Sequence, residues 1–427
     1  MKKILILSFL FFQIVITAKI IIIPDDYQTI QEGIDKAISN DTIFVKANTY
    51  NENLLIKDKD LHVISQYAAS NEPAYIANTV INANHQDRVI TIINSKSAIN
   101  GFTILNGLKE NGGGIAVKNA DVTLKNLIVK ENSSQNVGGG IYCNKSDLRI
   151  VNSILKENSA VSNGAGGGGL YSLNSSINVF NTKFIKNLSF FGGGIYIRQS
   201  SFNFDKVQIS DNSADSKAGG IYIIKANNST IKQSKIIKNS AFHEGGEAGG
   251  LFMESSQVSI FSTEISENIS YYGGGIYLSY SDPKLMNLLI YRNLAQESGG
   301  AIFCYHAAPE LTNITFTKNK SKQGSVINSA RISKPKLINS IVWGNDNPVF
   351  NKTIASQIEI QYSCLEQDKV YGTNINKPPL FISPEKDNYR LSSESNCKDN
   401  GHPAAEYNDK DGSRNDLGAY GGKLNEW

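Results

Sequence analysis

Apolar and polar residues alternate in short runs along most of the chain, the period of two that marks half-buried strands. Ile195 and Ile197 alternate with Tyr196 and Arg198, and Phe202, Phe204, Val207 and Ile209 continue the pattern. Within this stretch the pattern predicts three strands of two to four residues joined by polar turns. Helical spacing is not sustained over three turns anywhere in the repeating region.

The pattern recurs. An aliphatic residue preceded by a glycine run stands at Ile115, Ile141, Leu170, Ile195, Ile221, Leu251, Ile276, Ile302 and Ile327. The spacings are 26, 29, 25, 26, 30, 25, 26 and 25. A second anchor, an asparagine, follows each by 17 or 18 residues: Asn132, Asn158, Asn187, Asn212, Asn239, Asn268, Asn293, Asn319 and Asn345. Two anchors in phase over nine copies define a repeat. Three short strands cannot make a stable sheet within one copy. They can pair with the equivalent strands of the copies before and after, giving a parallel β-helix with one copy per coil and a rise of about 4.8 Å. The glycine runs and asparagines supply corners, since both accept positive φ. Stacked asparagines can also hydrogen-bond from coil to coil. The expected fold is therefore all-β, a single right-handed parallel β-helix. A short helix at its start would be capped by Asp26, carry Tyr27, Ile30, Ile34, Ala37 and Ile38, and serve as a lid.

The motifs resemble a known group. Gly113-Gly114-Ile115, Gly299-Gly300-Ala301-Ile302, Phe184-Ile185-Lys186-Asn187 and Phe316-Thr317-Lys318-Asn319 are similar to the repeats of chlamydial polymorphic outer membrane proteins. They also resemble those of secreted bacterial right-handed parallel β-helix proteins more widely. Thr42-Ile43-Phe44-Val45 to Glu52-Asn53-Leu54 looks like the opening coils of pectin-processing β-helices. Pro379-Leu380-Phe381 to Asp416-Leu417-Gly418-Ala419-Tyr420 resembles a common C-terminal closing segment of secreted β-helices. A C-terminal membrane barrel does not follow, so the resemblance does not imply autotransport. The fold it implies carries lyases, hydrolases and adhesins alike.

Residues 1–18 read as a secretory signal: Lys2 and Lys3, an apolar stretch from Ile4 to Ile16, and the small Ala18. Residues 19–99 are expected to form the cap and first coils, 100–345 the regular repeats, and 346–427 irregular last coils with a closing segment. The mature chain is expected to have no transmembrane segment, to be a monomer, and to lie outside the cell or on a bacterial surface.

Composition narrows the partners. The 427 residues carry 42 Lys and Arg against 39 Asp and Glu. The resulting net charge of +3 is too small for a nucleic-acid footprint. Cys143 and Cys304 fall at inward positions as core residues, whereas Cys364 and Cys397 are the pair placed to form a disulfide.

The residue after each aliphatic anchor points outward by alternation. In seven consecutive coils it is Tyr142, Tyr171, Tyr196, Tyr222, Phe252, Tyr277 and Phe303, an aromatic stripe of roughly 29 Å at strand spacing. Such a stripe suits a polysaccharide or a cell-surface glycoprotein, and it also stabilises a sheet by stacking. A long corner loop beside it carries His243, Glu244 and Glu247, residue types suited to acid–base work or to holding a cation. Three residues after an anchor, where Lys118, Asn144, Leu173, Ile224, Ser279, Tyr305 and Ala330 also fall, Arg198 and Glu254 each stand as a lone charge among uncharged neighbours. Asp409, Asp411, Asn415 and Asp416 around Gly412 present oxygens suited to Ca²⁺ but lack EF-hand spacing, and no other cofactor is expected. A stacked carboxylate pair is absent from the stripe pattern. The leading expectation is therefore a non-catalytic, glycan-binding or adhesive surface protein. The rivals are a polysaccharide lyase or hydrolase of the pectin-active type and a structural surface rod.

Overall fold

The computed structural model describes residues 18–241, 243–367 and 370–427. The expected export signal lies outside these residues, apart from Ala18. From Ile20 onward the chain winds as a right-handed parallel solenoid of about 13 turns. The anchor strands form a 12-stranded sheet running from Leu54–Lys57 to Phe350–Lys352. The strands after them form 14- and 13-stranded sheets, and every pairing in these three sheets is parallel. Ile195 pairs with Ile221 and Ile221 with Leu251, so equivalent residues stand one above another. Their inward side chains, with Ile197, Phe204 and Ile209, are wholly buried in one continuous core. Full burial of each such side chain stabilises the fold by about 1.5–3 kcal/mol.

Each middle coil has a fourth strand that the alternation did not reveal. An 8-stranded sheet, from Leu108–Asn111 to Leu294–Ser298, lies between the asparagine and the glycine run. Its inward residues are small, such as Ser134, Ser189 and Ala214, so they leave no apolar signature.

The asparagines form the expected ladder. Asn132 Nδ2 donates to Asn158 Oδ1 at 3.0 Å, and the same bond recurs at 2.9–3.0 Å through Asn187, Asn212, Asn239, Asn268, Asn293 and Asn319 to Asn345. The left-handed corner residue is the one before each ladder asparagine, not the asparagine itself. Lys186, Asp211 and Lys238 have φ of 53, 58 and 56°. The asparagine is thereby freed to turn its side chain inward. At the glycine run the residues divide the work. Gly192 adopts φ of 58°, whereas Gly193 is needed for space, because a Cβ there would stand 2.2 Å from Ser213 O. We expect Gly193→Ala to destabilise the fold by about 1–3 kcal/mol, since the obstructing atom is backbone. A melting temperature equal to that of the wild type would count against this packing.

The helix at the start is Ile30–Lys36, and Ile30, Gly33 and Ile34 are its buried residues. Thr29, not Asp26, caps it, in a capping box with Glu32. Asp26 instead accepts a bond from Ile22 N at 2.7 Å. Glu52 from the next coil also accepts the N–H groups of Ile30 and Gln31, each at 2.9 Å, which locks the helix in place. Two further short helices, Tyr67–Ser70 and Ala74–Asn78, interrupt the early coils.

The closing segment does more than finish the last coil. It folds back along the corner formed by Asn339, Asn313, Asn287, Ser262 and Gln233, which crosses five successive coils. Asn313 bonds Asn415 at 3.0 Å, Trp427 Nε1 donates to Asn287 O at 3.1 Å, and Gln233 reaches Glu426 O at 2.9 Å. Tyr389 and Ala419 are buried with Leu289 and Tyr291 beneath this strap.

Candidate functional site

All seven stripe residues sit on the outer side of the anchor sheet, but their faces are used by one another. Tyr196 and Tyr222 stack at 4.7 Å, Phe252 and Tyr277 at 4.9 Å, and Tyr277 and Phe303 at 4.7 Å. Edge-on contacts of 5.1 Å join Tyr171 to Tyr196 and Tyr222 to Phe252, and Tyr142 stacks on Tyr171 at 5.8 Å. The six rings from Tyr171 to Phe303 are buried, flanked by Phe191, Tyr272 and Tyr305. The stripe is a second apolar spine outside the solenoid rather than an open platform. Burial pushes the Tyr196 phenol up to about 12 and raises those of Tyr171, Tyr222 and Tyr277.

Three of the candidate charges bear on this spine. Glu254 accepts from Tyr222 Oη at 2.6 Å. Burial raises the Tyr171 phenol, and the nearby charge of Arg198 opposes that rise. Glu247 pairs with Lys217 at 2.7 Å, and its charge adds to burial in raising the Tyr277 phenol, while Lys217 Nζ lies 4.7 Å from the centre of the Phe252 ring. His243 and Glu244 stay at an exposed loop tip, with His243 facing Asp215 at 3.5 Å. The loop therefore contributes Glu247 to the stripe face and leaves the other two outside.

The face opens where the ring column ends. Phe303 pairs in register with Asn328, and Tyr305 with Ala330, so two large rings are followed by two smaller side chains. The step leaves a cleft of about 970 Å³ lined by Glu247, Tyr272, Tyr277, Phe303, Tyr305, His306, Arg331, Ile332 and Lys352, among others. Tyr305 packs edge-on against His306 at 4.8 Å, and the exposed Tyr280 ring stacks on His306 at 4.7 Å. On the far wall Arg331 and Ile332 both hold positive φ, 54 and 65°. That conformation is strained for a β-branched residue and is a feature of ligand clamps. Ile332 is nevertheless 61% exposed. Sequence reasoning missed Tyr305, Arg331 and Lys352. The available signal was the end of the ring column at Asn328, which exposes whatever stands beside it.

The oxygens suggested for Ca²⁺ serve the strap. Asp409 accepts the N–H groups of Asp416 and Gly422, Asp411 accepts from Ser413, and Asp416 accepts from Asp399 N. Asn415 is bound to Asn313 and to Tyr407 O. Among the described residues, no three His, Cys, Asp or Glu side chains are grouped to hold a metal ion. Cys364 and Cys397 are brought together in an apolar cluster, both buried as free thiols, and Cys364 Sγ donates to Lys377 O at 3.1 Å. Cys143 and Cys304 are buried in the main core as expected. Among the described residues no helix is long and apolar enough to cross a membrane.

Several solved structures are similar to this chain at low identity, three of which follow. Pectate lyase Pel9A aligns over 95% of this chain and 96% of its own, at 10% identity and a TM-score of 0.41. The Dettilon tailspike protein (gp208) aligns over 80% and 68%, at 10% identity and a TM-score of 0.42. The A-module of mannuronan C-5 epimerase AlgE6 from Azotobacter vinelandii aligns over 77% and 94%, at 12% identity and a TM-score of 0.36. No curated protein matches the sequence. Residues 168–342 match the family model described as the right handed beta helix region, the architecture their coils adopt here.

Proposed function

We propose that this chain is an exported, non-catalytic β-helix that binds a polysaccharide in the cleft at the end of the ring column. One observation carries the reading: aromatic rings released from the stack stand beside two cations in an open cleft of about 970 Å³. Tyr305 offers an apolar surface for a sugar face and a hydroxyl for its edge. Arg331 and Lys352 supply hydrogen-bond donors for sugar oxygens. Glycoside hydrolysis commonly uses two carboxylates flanking the bond. The residues lining this cleft include one, Glu247, and it is held by Lys217. Export rests on the basic and apolar start of the chain from Lys2 to Ala18.

The test is a glycan array probed with wild type and with Tyr305→Ala/Arg331→Ala. The expected result is a defined set of bound glycans for the wild type and at least tenfold weaker signal for the variant, with an unchanged melting temperature. Equal binding by both proteins removes the cleft from the reading. Release of reducing ends or unsaturated products by wild type, lost in Glu247→Gln, replaces it with the lyase or hydrolase reading.

A further inference from the structure

A second cleft, of about 660 Å³, lies along the ladder corner, on a different face from the ring column. One wall is the corner column Lys238, Glu267, Arg292 and Lys318; the other is the outward column of the fourth strand, Ser240, Ile269, Leu294 and then Lys320. In earlier coils that outward column carries Leu108, Ser133, Ser159, Leu188 and Ser213, so its aliphatic residues stand singly between serines. Here it carries two aliphatic side chains in consecutive coils, Ile269 and Leu294, which remain 36% and 37% exposed. Four cations and one carboxylate line the space.

Two of the four cations are ion-paired, and Lys318 and Lys320 have no carboxylate partner among the described residues. Arg292 is braced by Asp387 of the strap at 2.5 Å, which occupies part of its five-donor fork. Lys318 Nζ donates to Pro384 O at 2.8 Å and keeps two further N–H donors. Lys238 meets Glu267 only at 3.9 Å. Lys320 is exposed and has no acidic partner within ion-pair distance among the described residues. An apolar floor under a cationic rim is complementary to one chemical class: a molecule with an alkyl body and an anionic head. The volume falls in the range of small-molecule sites.

We propose that this cleft binds a single-chain anionic amphiphile, with its alkyl chain on Ile269 and Leu294 and its phosphate or carboxylate head between Lys238, Arg292, Lys318 and Lys320. The site is independent of the polysaccharide cleft. The experiment is calorimetric titration of the full chain with octyl phosphate, octyl glucoside and inorganic phosphate, below micelle-forming concentrations. Wild type is expected to bind octyl phosphate at least tenfold more tightly than either of the other two. Ile269→Ser/Leu294→Ser should reduce octyl phosphate to the level of inorganic phosphate, and Lys238→Glu/Lys320→Glu should weaken it at least tenfold. Serine already occupies the outward column at Ser213, glutamate already occupies the corner column at Glu131 and Glu157, and Lys320 is exposed, so melting temperatures should match wild type. Absence of octyl phosphate binding, equal binding of octyl glucoside, or wild-type affinity in either double variant would overturn the proposal.

Discussion

Asn212→Ala is expected to lower the unfolding free energy by about 3–5 kcal/mol, far more than its loss of a few atoms suggests. Asn212 Oδ1 accepts the main-chain N–H of Asn187 at 2.9 Å and its side-chain amide at 3.0 Å. Its own amide donates to Asn239 Oδ1 at 2.9 Å and to Phe184 O at 3.0 Å. All three asparagines are about 1% exposed, so water cannot replace these bonds. Alanine leaves a buried N–H and a buried carbonyl without partners and breaks the ladder in the middle. Each buried group left unpaired costs about 1–3 kcal/mol. The neighbouring Asp211→Gly is the control, because Asp211 holds φ of 58° on the surface and glycine accepts that conformation freely. It should leave stability unchanged or raise it slightly. Guanidinium unfolding measures both variants, and hydrogen exchange at the Asn187 amide localises the damage. A loss below about 1 kcal/mol for Asn212→Ala would mean that the ladder is ornamental.

The second large effect concerns the strap. Oxidation of Cys364 and Cys397 to a disulfide is expected to stabilise the C-terminal region by about 3–4 kcal/mol, the chain-entropy value for a loop of roughly 33 residues. The nearby Cys397 lowers the pKa of Cys364, and the same contact together with burial raises that of Cys397. Cys364 is therefore the better first nucleophile. Its thiolate attacks a small-molecule or protein disulfide to give a mixed disulfide and one released thiol. Cys397 then loses its proton and displaces the second thiol. Two electrons and two protons pass to the oxidant in all. Both sulfurs are buried, so the exchange must precede docking of the strap or await its opening. Intact mass after oxidative refolding should fall by about 2 Da. The thermal midpoint should drop on reduction, and Cys397→Ser should show no such dependence. A midpoint insensitive to reductant in the wild type would refute the link.

Much of the fold was legible because one set of constraints repeats in every coil. Ile195, Ile221 and Leu251 recur in phase since each must fill the same slot in the core. The ladder asparagines recur since each needs a partner above and below. The positive-φ residue was assigned one position too late, because Asn and its neighbour occupy every corner together and only the backbone separates their roles. The fourth strand escaped notice because Ser189 and Ala214 face inward without hydrophobic contrast. The aromatic column was read correctly as outward-facing, but its burial could not be read. That depends on Phe191 and Tyr272, which approach from the fourth strands and flank the rings.

Winding, coil length and the polar ladder follow from the local chain, since the period of apolar residues and the turn-forming types dictate them coil by coil. Packing between distant segments decided the rest. Whether Tyr305 meets a ligand depends on what stands above Phe303. Whether Asn415 holds a cation or Asn313 depends on where the returning strap lands. No periodicity encodes such choices, because each is made once along the chain, through contacts about 100 residues apart in the case of Asn313 and Asn415.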